Sequence, residues 1–194
     1  MPRPKSYVRQ EAVAKACMAF WQHGYQALGV RELEQLPGLN QFAIRSEFGG
    51  KEGLYLEALQ YYANAAITQE MAPMKTGGIA EIIAFFQGLV AESSVTSSDF
   101  GCLVVNTGIE NARVQSDRLD KAAQAYWAAL GDHFRGALER SVSPASGVDP
   151  EDMSQALVSA VMGVHAQNRS LASHKAGRHL VDLICAQLAA LETK

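Results

Sequence analysis

Cysteine is scarce and scattered in this sequence. The three thiols, Cys17, Cys102 and Cys185, are far apart and odd in number, with no CxxC pair and no Cys/His spacing suited to zinc. That excludes a disulfide framework and a zinc module, and it fits a reducing compartment. Long apolar runs are also missing: no stretch reaches the roughly 18 uninterrupted apolar residues that a membrane helix needs. The opening MPRPKSYVRQ is basic but has no apolar segment of a secretory signal. The expected compartment is therefore the cytoplasm, with no membrane partner, no metal and no cofactor. Isoleucine, threonine and phenylalanine are sparse beside alanine and leucine, while proline and glycine gather at a few points. This balance predicts an all-α protein.

Catalytic signatures are absent as well. The chain holds no nucleophile elbow, phosphate loop, HExxH helix or cysteine-metal cluster. Carboxylates such as Glu110 and Asp182 have no evident partner in the sequence. An enzyme is not expected.

What is present is a core and a punctuated helical pattern. With 48% hydrophobic residues, the 194-residue chain can bury a real interior. Net charge is −3, but its distribution is uneven: residues 1–55 carry seven Lys/Arg and five Asp/Glu, and the remainder carries ten and fifteen. The first quarter is the part suited to meet an anion. Apolar spacing predicts a first helix over 8–23, with Ala12, Ala16 and Phe20 on one face and Gly24 as its stop. Val30, Leu33 and Leu36 mark a short second helix closed by Pro37-Gly38. A third short helix is predicted over 40–47 with Asn40 as N-cap, and a longer one begins at Lys51. Further helices are predicted over 79–92, 101–115, 117–141, 150–172 and 176–192. Asp149 and Pro150 mark a start with the residues a helix N-terminus prefers.

Two short helices joined by a tight Pro-Gly turn form a helix-turn-helix pattern. Val30, Leu33, Ile44 and Phe48 supply its bracing core. Gln41, Phe42, Arg45 and Ser46 are left for the outer face of the third helix. Lys51 poses a question, because a helix N-terminus already carries about half a positive charge. A DNA phosphate would remove the conflict; simple solvation of the ammonium is the competing reading.

The stretch AFWQHGYQALGVRELEQLPGLNQFAIRSEFGGKEGLY resembles the N-terminal DNA-binding segment of the TetR family of transcriptional regulators. The matching points are Phe20-Trp21, Gly24-Tyr25, Val30-Arg31-Glu32-Leu33, Gly38-Leu39-Asn40, Ile44, Phe48, Lys51-Glu52 and Leu54, and the strong resemblance covers about residues 5–58. GCLVVNTGIE, residues 101–110, resembles a segment of one branch of that family. Two departures stand out. Leu28-Gly29 occupies the place of a Thr-Ser or Thr-Thr pair, and Arg45 that of a tyrosine which touches a phosphate in relatives. An arginine there can hold a phosphate or a guanine edge.

The resemblance implies a division into a three-helix DNA-binding domain, 1–50, and a larger helical ligand-binding and dimerisation domain, 51–194, with about nine helices in all. It implies double-stranded operator DNA, a small organic effector and a second copy of the chain as partners. The DNA-contact candidates are Arg3, Lys5, Arg31, Asn40, Gln41, Phe42, Arg45, Ser46 and Lys51. Arg3 and Lys5 read as a basic arm or equally as an ordinary charged terminus. Candidates for an effector cavity are Tyr61, Phe85, Phe86, Cys102, Asn106, Tyr126 and Trp127, although aromatics at helical spacing are more often core. Cys102 has no Lys, Arg or His within ten residues, which favours an inert thiol over a redox sensor. For the dimer interface the candidates are Leu157, Val161, Val164, His165, Leu180, Ile184 and Leu188, with burial in the chain's own core as the competing reading. The expected function is a one-component regulator, a repressor ahead of an activator. The alternative is a protein of the same fold with degenerate DNA binding that acts as a ligand or protein partner.

Overall fold

In the computed structural model, residues 9–36, 39–92 and 97–192 are described; Arg3, Lys5 and the Pro37-Gly38 turn lie outside them. Among the described residues there are nine α-helices and no strand: α1 Arg9–His23, α2 Val30–Leu33, α3 Gln41–Glu47, α4 Lys51–Ala66, α5 Ile79–Gly88, α6 Leu103–Val114, α7 Asp117–Ser141, α8 Pro150–Ser170 and α9 Arg178–Glu192. Between α4 and α5 the chain passes through one π turn, Ile67–Met71, and one 3-10 turn, Ala72–Lys75. The second helix is shorter than its apolar spacing predicts, because Leu36 falls after its end. The predicted 79–92 helix ends early for a comparable reason: from Leu89 the amides bond three residues back, as in a 3-10 turn, and the α ladder stops.

Helix starts follow the capping chemistry of the sequence. Asn40 Oδ1 accepts from Ala43 N at 2.8 Å, and Asp149 Oδ1 accepts from Glu151 N at 2.8 Å. At α5 the Glu81 carboxylate reaches back to Gly78 N at 2.6 Å, while Ser141 Oγ accepts from Ile79 N at 3.1 Å. The α6–α7 corner is tied by Asn111, a buried amide. It donates to Ser116 O and accepts from Ser116 N, both at 3.0 Å. A buried amide satisfied on both sides costs little and locks the corner.

Packing builds two connected regions. Helix α1 lies on α4, so the N-terminal helices share the core face Leu54, Ala58, Tyr62 and Ala66. The long helix α7 runs under α8 and α6, and α9 lies on α5. At the centre Phe134 is stacked on Phe86 at 5.8 Å and meets Phe85 edge-on at 5.4 Å. Phe134 is fully buried, and aromatic pairs of this kind add to the area they bury. Phe134→Ala is expected to cost about 3–5 kcal/mol, lowering Tm by roughly 10 °C in a chain of this size. A thermal melt that shifts by less than 2 °C would contradict this packing.

Candidate nucleic-acid interface and its coupling to the helical core

Helix α3 is short and one-sided. Ala43 and Ile44 turn inward onto Leu33, Leu39 and Phe48, all buried. Gln41, Phe42, Arg45 and Ser46 are exposed. Ser46 Oγ donates back to Phe42 O at 2.7 Å, so its hydroxyl is already engaged. Asn40 uses its side-chain oxygen as the cap and keeps its amide donors for other work. Arg31 lies exposed on α2.

The far end of α3 is pinned by a residue the sequence reading did not single out. Arg9, at the start of α1, donates to Glu47 O at 3.2 Å, pairs with Glu57 on α4 and lies 4.3 Å from the Phe48 ring centroid. One guanidinium thus joins α1, α3 and α4, using the planar fork and aromatic stacking that lysine lacks. The first turn of α4 packs tightly under this corner. A Cβ on Gly53 would lie 1.6 Å from Phe48 O, so no side chain fits there.

Lys51 is neither free in solvent nor bare at its helix N-terminus. Its ammonium sits 4.4 Å from the centroid of the Tyr25 ring. Partial burial pushes its pKa down, and the carboxylates of Glu110 and Glu32 oppose that shift. The conflict with the α4 dipole is met inside the fold, by an aromatic face and two carboxylates. A phosphate would add to this arrangement.

No protein-family model matches the chain. The chain is similar to the HTH-type transcriptional repressor ComR of Escherichia coli strain K12, 31% identical over 108 residues that cover 54% of this chain and 51% of ComR. It therefore spans about half the length of that curated relative. The backbone superposes on a TetR-family transcriptional regulator from Cytophaga hutchinsonii with a TM-score of 0.80 at 16% identity, over 96% of this chain and 95% of the other. It superposes equally well on a cysteine mutant of the TetR-family regulator CifR, complexed with 26-bp double-strand operator DNA: TM-score 0.79, 21% identity, 97% and 99% coverage. The chain has the TetR-family fold.

Within this TetR-family fold, the α1–α2 turn is held from the larger helical region by three groups. The Glu110 carboxylate on α6 accepts from Tyr25 N at 3.2 Å and Gln26 N at 2.7 Å, and Gln26 Nε2 donates to Glu110 O at 3.1 Å. Trp21 Nε1 donates to Gly101 O at 2.9 Å. Arg169 on α8 donates to Phe100 O at 3.2 Å and to Trp21 O at 3.0 Å, the latter contact placing a cation on the last turn of α1 where the dipole favours it. Beside them Tyr55 OH lies 2.8 Å from Thr107 Oγ1, linking α4 to α6. Neither Glu110 nor Arg169 was legible as a pair: their partners are backbone groups 69 to 148 residues away. Asp182, also without a partner in the sequence, forms an i,i+4 ion pair with Arg178 at 3.7 Å.

The effector candidates divide three ways. Phe85, Phe86 and Tyr126 are buried in the aromatic core, so they are packing residues in this state. Tyr61 is 41% exposed on the outer face of α4; the helical register turns Tyr62 inward in its place. Cys102 is buried and its thiol pKa is pushed up by desolvation, an inert setting. The Tyr62 hydroxyl faces that thiol without forming a hydrogen bond of normal geometry. Asn106 is buried and donates to Phe100 O at 3.0 Å. Trp127 lines an open apolar groove of about 400 Å³ between α6, α7 and α8, with Val104, Val105, Gly108, Ile109 and Met162.

Five of the seven dimer candidates are already covered within the single chain. Leu157, Val161, Val164, His165 and Leu188 are each no more than 2% exposed within a single chain, and Leu180 and Ile184 are half-buried. A side chain already removed from water has no surface left to give a partner. The outward faces of α8 and α9 carry other residues: Gln155, Ala156 and Ser159, then Leu183, Ala186 and Ala189.

Two outcomes follow from this geometry. Gly24 has φ +88°, and a Cβ there would lie 2.6 Å from Glu110 Oε1. Gly24→Ala is expected to cost about 2 kcal/mol and to lower Tm by roughly 4–8 °C; an unchanged melt would contradict the Glu110 contact. His165 is buried and Nδ1 lacks a partner, and desolvation lowers its pKa to about 4. In the unfolded chain it titrates near 6.5. Between these values the unfolded state binds the extra proton, so stability falls as pH drops from about 6.5 to 4, by up to about 3 kcal/mol. Denaturant melts across that window should show the fall, and His165→Leu should flatten it.

Proposed function

We propose that this protein is a one-component transcriptional regulator, a repressor, that binds operator DNA as a homodimer and is released by a small apolar effector. The observation that carries the reading is α3: a short helix braced from behind by Leu33, Ile44 and Phe48, with Gln41, Phe42 and Arg45 turned to solvent. Such a helix fits the major groove, and its polar side chains match base edges. The name of the similar ComR, a transcriptional repressor, supports the direction of control. Residues 1–50 form the DNA-reading part and 51–194 the sensing and pairing part.

The remaining parts have assigned places. A second copy packs on the outward faces of α8 and α9, where alanines and serine allow close helix approach. Two such α3 helices must sit about 34–36 Å apart to meet successive major grooves. The effector occupies the apolar groove of α6, α7 and α8. A neighbouring cleft by Arg135 is a poorer site, because its charges are already paired with Asp132 and Glu151. Effector contact with Val105 and Ile109 moves α6, and α6 carries Glu110. The α1–α2 turn then shifts and the two α3 helices lose their spacing. The effector acts only to the extent that it binds the shifted state more tightly.

The test is binding of the full chain to DNA from upstream of its own gene and to random DNA, at several salt concentrations. Tight, salt-sensitive and selective binding is expected. Arg45→Ala should lower affinity for the selected DNA about tenfold, within the range of one base contact, while weak binding to random DNA persists. Equal affinity for both DNAs at every salt concentration would overturn the regulator reading.

A further inference from the structure

We infer, resting on the DNA-binding reading above, that Phe42 reads the C5-methyl group of a thymine in each operator half-site, one or two base steps from the base read by Arg45.

Phe42 is 78% exposed, more than any other large hydrophobic among the described residues. It belongs to no ring pair and to no part of the apolar core. Its surroundings on α3 are polar: Gln41 before it, Arg45 and Ser46 one turn on. A phenyl ring in this position gives up most of the free energy of burial. The face it shares with Arg45 is the face that enters the groove.

The edges of base pairs in the major groove are donors and acceptors, with one exception, the thymine methyl. An apolar side chain on a groove-facing helix therefore has one apolar match among the base edges. Ser46 does not compete for it, since its hydroxyl is turned back onto Phe42 O at 2.7 Å. Arg45 is exposed and makes no ion pair among the described residues, and its fork suits guanine O6 and N7. Residues three apart on a helix have Cβ atoms about 5–6 Å apart, and successive base steps are about 3.4 Å apart. The thymine and the guanine thus lie within two steps of each other.

The experiment isolates one methyl group. The full-length chain selects duplexes from a random pool, and each thymine of the selected sequence is replaced singly by deoxyuridine. At one thymine per half-site, loss of the methyl is expected to weaken binding about fourfold, the value of one buried carbon. Replacing that T·A pair by 5-methylcytosine·G should lose less than replacing it by plain C·G. Phe42→Ala, which leaves the packed core untouched, should bind the thymine and deoxyuridine duplexes alike. A selected consensus whose deoxyuridine forms all bind the wild-type chain equally well overturns the inference and leaves the regulator reading standing; a ring resting on deoxyribose would give that result. A pool from which no consensus emerges overturns both.

Discussion

The Glu110 carboxylate is bound to the backbone amides of Tyr25 and Gln26, and the relation between the two parts of the molecule depends on it. These amides follow the end of α1, where the positive φ of Gly24 has turned the chain off the helical path and away from the α1 carbonyls. A carboxylate satisfies both with charge-assisted bonds. It stands near the negative end of the α1 dipole, an unfavourable place for an anion. Two cations compensate: Arg169, on the Trp21 carbonyl, and Lys51, over the Tyr25 ring and within the field of Glu110. Gly24 is required between them, because its positive φ makes the turn and any Cβ would meet the carboxylate. Removing one member would leave the others as uncompensated charges or amides.

This arrangement gives α6 a lever. The same helix lines the apolar groove on one side and holds the N-terminal helices on the other, with the Tyr55–Thr107 contact running parallel to the Glu110 bonds. A ligand that shifts α6 need not touch the N-terminal helices. The internal aromatic cluster of Phe85, Phe86 and Phe134 is fully packed in this state, so the open space beside α6 lies outside it, at the apolar groove and at a smaller cleft by Asn106, Glu110 and Arg169. The sensing role proposed here follows from where space and linkage coincide.

Local features were legible because they depend on neighbours in sequence. The Asn40 and Asp149 caps, the Gly24 stop and the buried face of α1 (Ala12, Ala16, Phe20) are set within one or two turns of chain. The outward face of α3 followed in the same way, once Ile44 and Phe48 were assigned to the bracing core. Helix ends were less legible: α2 and α5 stop short because a switch to three-residue hydrogen bonding leaves little mark on composition. The α8 and α9 faces misled in a different manner. Their apolar stripes are real, but periodicity says only that a stripe is covered, not by which chain; here α7 and α5 cover them.

Sequence by itself therefore determined the all-helical class, the helix-turn-helix pattern and the residues α3 turns to solvent, since each rests on spacing and capping along one segment. Tertiary structure alone decided where Lys51 puts its charge, what Glu110, Arg169 and Arg9 hold, and which side of α8 and α9 remains open. Those depend on groups up to 148 residues apart in the chain, brought together only when the apolar faces have chosen their partners. A charged side chain's partner is fixed by position in space, and distance along the chain carries no record of it.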